Sequence, residues 1–201
     1  MRTARDPFGE AVLRIRRDLR HGRYVQGERL AISDLADELR LSATPVREAL
    51  ARLSGEGLIE DRRGQGYFAW RLDVVDLMEL YDLQLVYLKA ALRRGRGPAS
   101  GRTGQETAPP SLEEIFGDIV RLAGNGALAR ANDLLADRLA APRLAEAHVL
   151  EHLDEELDRF LAARDIQDLL RAIEAYQVRR LTKGAAIISA LRSRRGGASP
   201  I

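Results

Sequence analysis

The side chains best suited to chemistry lie in one short stretch. Ser42, Thr44, Arg47, Glu48 and Arg52 fall on one face of a helical period, while Val46, Leu50 and Leu53 form an apolar stripe on another. Small hydroxyls and guanidiniums at a helix N-terminus suit a nucleic-acid major groove. Hydroxyls and amide dipoles meet phosphate there, and Arg47 can reach a guanine edge with two hydrogen bonds. Further along, Arg62-Arg63-Gly64-Gln65-Gly66 puts cations on a turn with no bulky side chain, a tip suited to a minor groove or a phosphate backbone. A plainer reading competes: Arg47 and Arg52 pair with Glu48 and Glu56 on a solvated face. Elsewhere, His148 and His152 stand four apart, a spacing that shares a metal on a helix face and equally one that leaves both solvated. With no cysteine in the chain, disulfides, thiolate zinc sites and cysteine nucleophiles are excluded. Gly22 with Gly27, and Gly64 with Gly66, are isolated pairs far from a dinucleotide fingerprint. No catalytic residue, cofactor or enzymatic activity is expected.

The elements that must position these groups read as helices almost throughout. Val12, Ile15 and Leu19 recur at helical spacing between Phe8 and His21, with Gly22 as a stop. Ser33 is expected to cap a short helix carrying Leu35, Ala36 and Leu39. A third helix begins near Ser42–Thr44, tolerates Pro45 in its first turn, and ends at Gly55–Gly57. Leu58–Asp61 and Tyr67–Trp70 flank the Arg63–Gly66 turn as a hairpin. Three short helices and a two-stranded hairpin make a winged helix-turn-helix over residues 1–71. Val74–Leu92 is apolar nearly all round, which predicts a helix central to a bundle. Further helices are expected at about 112–123, 127–140, 143–163 and 166–193. Pro142 marks one joint, and Asp165 with Asp168 caps the last helix. The fold class is therefore mainly α: a winged head, then an all-helical domain over 72–195.

Charge sharpens this division. The 201 residues carry a net charge of only +2. Resolved along the chain, it becomes +3 over 1–71, −3 over 72–92, +3 over 93–111 and −1 over 112–201. The stretch 93–111 is rich in Gly, Pro, Ser and Thr and is expected to be a loop, as 196–201 is expected to be a tail. No apolar run approaches the about 20 residues of a membrane span, and the start lacks a signal-peptide core, so a cytoplasmic protein without membrane association is expected.

The run Leu35-Ala36-Asp37-Glu38-Leu39-Arg40-Leu41-Ser42-Ala43-Thr44-Pro45-Val46-Arg47-Glu48-Ala49-Leu50, continuing to Gly57-Leu58-Ile59 and Arg63-Gly64-Gln65-Gly66-Tyr67-Phe68, resembles the reader head of GntR-family transcriptional regulators. The resemblance covers residues 8–70. It implies a homodimer on a pseudo-palindromic double-stranded operator, acting as a repressor and modulated by a small molecule. The DNA-facing set it implies is Ser33, Ser42, Ala43, Thr44, Arg47, Arg52, Arg62, Arg63, Gln65 and Gly66. Relatives commonly carry arginine where this chain has Ala43, and losing that base contact is worth about 1–3 kcal/mol. At Ser33 they often carry a longer polar side chain.

Residues 73–190 more distantly resemble the FCD-type effector domains of the same family, shortened where 93–111 replaces a helix. Most members of that group hold a divalent metal through an Asp and three His. Carried over, those ligands fall on Glu113, Gly117, Asp154 and Tyr176, which do not make a nitrogen-rich site, so no metal is expected. Gln84 and Leu88 stand where relatives often carry Arg and Glu. The inward lining is then Tyr81, Gln84, Tyr87, Phe116, Asn125, Asp154, Tyr176 and Arg180. That lining favours an apolar effector, and the aromatics read equally well as core. A metal sensor and a ligand-free dimerisation scaffold remain as alternatives.

Overall fold

Asp6 caps the first helix of the head: its carboxylate accepts the Gly9 amide at 3.0 Å, and Pro7 occupies the first turn of α1, Pro7–Arg20. The computed structural model describes residues 6–94 and 109–193; the expected tail lies outside them, and of the expected loop Arg93 and Arg94 belong instead to the last turn of a helix and Ser111 caps another, while 95–108 lie outside. Helix α2, Ile32–Leu39, and helix α3, Ala43–Gly55, pack with α1 around Ile15, Val46, Ala49, Leu50 and Leu53, all essentially inaccessible. The α2–α3 turn is made by Arg40 in the left-handed region (φ 54°), with the Leu41 amide donating to the Ala36 carbonyl at 3.0 Å. Ser33 does not cap α2. Ala31 holds the cap position, and the Ser33 hydroxyl, one residue inside the helix, donates to Asp34 at 2.9 Å.

The wing is a three-stranded antiparallel sheet in the order β1-β3-β2, with β1 Arg29–Leu30, β2 Ile59–Arg62 and β3 Gly66–Ala69. Strand β1 is two residues long and carries no readable alternation, so only the hairpin is evident from sequence. It pairs Arg29 with Phe68 and Leu30 with Tyr67 and buries Leu30. In the hairpin Arg62 opposes Gly66, and Gly64 takes a φ of 75° that a β-carbon would strain.

A second core begins at Trp70 and Leu72. Helix α4, Val74–Arg94, is central to it and packs on α5 (Leu112–Leu122), α6 (Gly126–Glu146) and α8 (Ile166–Ser193), while α7 (Leu153–Leu161) lies against α8. Two helix starts follow their side chains: Ser111 and Glu114 form a capping box on α5, and Asp165 accepts the Asp168 amide at 2.8 Å at the start of α8. The break expected at Pro142 does not occur. α6 runs through that proline, which is buried with Leu139 and Ala145, and the chain turns later, at 147–152. Burial on that face outweighs the lost hydrogen bond to the Arg138 carbonyl. His148 lies in the turn and His152 precedes α7 with φ 54°, so the two do not share a helix face.

Arg180 is the largest fully buried side chain of the bundle. Its guanidinium donates to Glu146 at 2.7 and 3.1 Å and to Glu156 at 2.8 Å, and Tyr81 donates to the other Glu146 oxygen. Burial alone would lower the Arg180 pKa. The Tyr176, Glu146 and Glu156 side chains more than offset that and hold it raised. Replacing Arg180 by methionine should leave Glu146 without its ion-pair partner, while Glu156 keeps Arg179 at 2.9 Å, and cost about 3–5 kcal/mol in urea unfolding. The triple variant R180M/E146Q/E156Q should regain much of that loss. Equal stability of wild type and R180M would contradict the assignment.

Candidate nucleic-acid interface

The interface is built on the first turn of α3. Ser42 stands at the cap position in extended conformation, yet its hydroxyl makes no capping bond and is exposed. Thr44 and Arg47 follow on the same outer face, both exposed and, among the described residues, without a hydrogen bond or ion pair. Ala43 is exposed beside them. Behind them Val46, Ala49, Leu50 and Leu53 are inaccessible, so the face is fixed by core packing rather than by its own contacts. Uncommitted donors on a rigid support are the arrangement that direct readout of base edges needs.

The plainer reading holds for one arginine and fails for the other. Arg52 donates to Glu56 at 3.0 Å and lies over the Phe8 ring at 5.9 Å, while Glu56 also binds Arg16 of α1. Arg52 thus ties α3 to α1. Arg47 meets neither Glu48 nor Glu56.

The wing divides in the same way. Arg62 donates twice to Glu60, at 2.6 and 2.8 Å, and stacks on Phe68 at 4.3 Å. Burial would raise the Glu60 carboxyl, but Arg62 and the Arg71 amide outweigh it and hold its pKa down. Arg63 and Gln65 project from the tip, exposed, with side chains that bond to nothing described. Gly66, at φ 100°, brings the backbone under Arg29. Ser33 is exposed at the start of α2. Arg29 and Arg40 were not among the expected contacts, although both are exposed and unpaired. Arg40 in the helix-turn-helix turn is a position that a search for helix faces passes over.

The helical half brings together only part of its expected lining. Tyr81, Gln84, Phe116, Tyr176 and Arg180 converge in the core. Tyr176 meets Phe116 edge-on at 5.1 Å and Tyr81 at 6.4 Å, and Arg180 stacks on Tyr176 at 3.4 Å. Burial, then Glu146, pushes the Tyr81 and Tyr176 hydroxyls upward. Tyr87 is half-buried. Asn125 is instead the cap of α6, accepting the Ala127 and Leu128 amides at 3.1 and 3.2 Å. Asp154 faces solvent, because the first turn of α7 turns Glu156 inward and leaves Asp154 outside. Buried Glu146 and Glu156 and half-buried Arg143 are charges of the bundle that the sequence did not single out.

These residues do not fit the metal site of the resembling domains. Glu113 is bound by Arg20 at 2.6 Å and by Arg143 at 2.9 Å, Gly117 has no side chain, and Asp154 lies outside. Among the described residues no three His, Asp or Glu side chains converge to hold an ion.

Residues 8–68 match the family described as bacterial regulatory proteins, gntR family. The chain is 40% identical over 67 residues to the Nta operon transcriptional regulator of Aminobacter aminovorans, a match covering 33% of this chain and 32% of that protein. It thus spans about a third of the length of this curated relative. The whole fold is similar to a GntR-assigned structure from Rhodococcus sp. RHA1, with a TM-score of 0.67 at 19% identity over 94% of this chain and 99% of that one. It is also similar to E. coli McbR/YncC, with a TM-score of 0.57 at 20% identity over 92% and 94%.

The interface predicts unequal arginines. Arg47→Ala should weaken specific DNA binding about 5–150-fold, the equivalent of ~1–3 kcal/mol. Arg52→Ala should lower stability by under about 1 kcal/mol and change DNA affinity little. Arg63→Ala should weaken all sequences alike and reduce the salt slope by about one. Fluorescence anisotropy on operator and scrambled duplexes reads all three; equal losses from Arg47→Ala and Arg52→Ala would reject the assigned reading face.

Proposed function

Over residues 8–68 the chain carries the DNA-binding head of the gntR family of bacterial regulatory proteins, and from that premise we propose that it is a transcriptional repressor acting as a homodimer on a pseudo-palindromic operator. The family's description is of regulatory proteins, and the Aminobacter aminovorans relative is named a transcriptional regulator, so no reaction is assigned to the chain. The observation that carries the proposal is the uncommitted Ser42–Thr44–Arg47 face on a helix whose opposite side is wholly buried. The Ser33, Ala43, Gln65 and Gly66 positions would border the duplex with it, and Arg63, Arg29 and Arg40 would meet phosphates. Cytoplasmic placement follows from the DNA partner. No described helix is long and apolar enough to cross a membrane.

Pairing of two copies is supported by energetics and by a surface. One small head makes few phosphate contacts, and an operator read by two heads gains both affinity and spacing information. On α4, Val75, Met78 and Val86 lie on one exposed stripe, with Val75 62% and Val86 59% accessible. Such a stripe gives a second copy an apolar face to cover. The ion-paired interior around Arg180 favours a bundle that serves as a packed scaffold, so regulation would enter where head and bundle meet.

Sedimentation equilibrium should give twice the chain mass. Val86→Asp, on an exposed position, should yield folded monomers and lose the high-affinity shift on DNA upstream of the chain's own gene. A reporter driven by that DNA should rise when the protein is removed. A monomeric wild type that binds operator at full affinity would overturn the dimer, and a reporter that falls would make the protein an activator.

A further inference from the structure

The reading face of α3 also carries an acid. Glu48 follows Arg47 and, two residues on from Val46, is turned about 200° away from that buried side chain. It stands one turn beyond Thr44 on the same ridge and is exposed, as Thr44 and Ala51 are. Arg47 lies to one side of it, towards the wing: burial, then Asp61, pushes the Tyr67 hydroxyl of β3 up, and the Arg47 charge opposes them. Glu48 is thus nearer the middle of the outward face than Arg47.

Among the described residues no hydrogen bond or ion pair reaches the Glu48 carboxylate. A cation does stand four residues on, at the spacing that pairs glutamate with arginine along a helix. That cation, Arg52, is held by Glu56 at 3.0 Å and lies over the Phe8 ring, so it is not available to Glu48. An unpaired carboxylate on a surface that meets phosphates weakens binding to every duplex, unless a donor on the DNA offsets the repulsion. On the floor of the major groove the donors are exocyclic amino groups, and a carboxylate pairs with that of cytosine.

We propose that Glu48 is a specificity-determining residue whose carboxylate accepts a hydrogen bond from cytosine N4 in the base pair next to the guanine read by Arg47. The two side chains diverge by about 100° around α3, so they fall on neighbouring base pairs rather than on one. At the Glu48 position thymine would present O4, and guanine N7 and O6, all acceptors that a carboxylate repels. Glu48 therefore rejects the wrong base more than it tightens the right one. The assignment rests on the DNA-binding reading above and adds to it a base preference that Arg47 alone does not supply.

The test selects an operator from randomised duplexes with the full-length wild type. Anisotropy is then measured with each of the four bases at the positions flanking the guanine that depends on Arg47. Wild type should prefer cytosine at one of them by about 5–20-fold. Glu48→Gln and Glu48→Ala change an exposed side chain without a partner, so both should melt within about 2 °C of wild type. Both should lose the cytosine preference, keep the guanine preference, and bind a scrambled duplex about two- to fivefold more tightly, because a charge facing phosphates is gone. N4-methylcytosine still pairs with guanine but puts a methyl group where the donor was. It should cost wild type about as much as a wrong base and cost Glu48→Ala little. Base preferences unchanged in the Glu48 variants, a preference for another base at that position, or a wild type indifferent to N4-methylcytosine would overturn the assignment and leave the regulator reading in place. A wild type that selects no sequence from the pool would overturn the regulator reading and the assignment with it.

Discussion

A guanidinium buried as deeply as that of Arg180 is tolerable only when carboxylates surround it, and the helical half is arranged to satisfy that condition. Glu146 at the end of α6 and Glu156 in α7 reach it from two helices, and Tyr81 of α4 holds the far Glu146 oxygen. The arrangement explains where α6 ends and why α7 begins with His152 in a left-handed turn: the chain must bring both carboxylates to one side of α8. Removing Arg180 strands Glu146 in apolar surroundings, so the cluster specifies one packing of α4, α6, α7 and α8 even where its net stabilisation is small.

A second, more exposed set of charges ties this scaffold to the head. Glu113 joins Arg143 of the bundle to Arg20 of α1, and Asp137 receives Arg16 and Arg20. Arg16 also reaches Glu56 at the end of α3. A line of ion pairs thus runs from the bundle through α1 to the helix that presents Arg47. Changes at this seam have a physical route to the DNA-facing surface.

How much of this was legible in the sequence depended on distance along the chain. The α3 face was readable because Ser42, Thr44, Arg47 and the Val46, Leu50, Leu53 stripe repeat within one helix, and the hairpin because its turn residues sit between two apolar runs. Which arginine was committed was not readable, since Arg52 and Arg47 each have a nearby glutamate and only the helix phase decides. The Arg180 cluster joins residues 24 and 34 positions apart, and no local period marks Glu146 or Glu156 as inward. Pro142 misled for a related reason: its local cost was visible, whereas the burial that outweighs it is tertiary. Asn125 looked like a lining residue because the resemblance fixed its place near the domain, while the amides it caps belong to its own helix start.

The central claim is that Arg47 reads a guanine edge in the major groove of each half-site. Dimethyl sulfate footprinting on an operator selected from randomised duplexes tests it most directly, because methylation at guanine N7 reports that edge. The account predicts symmetric N7 protection in both half-sites with wild type and its selective loss at those guanines with Arg47→Ala at saturating protein. Identical protection by the two proteins, or no protection of any guanine N7, would contradict it.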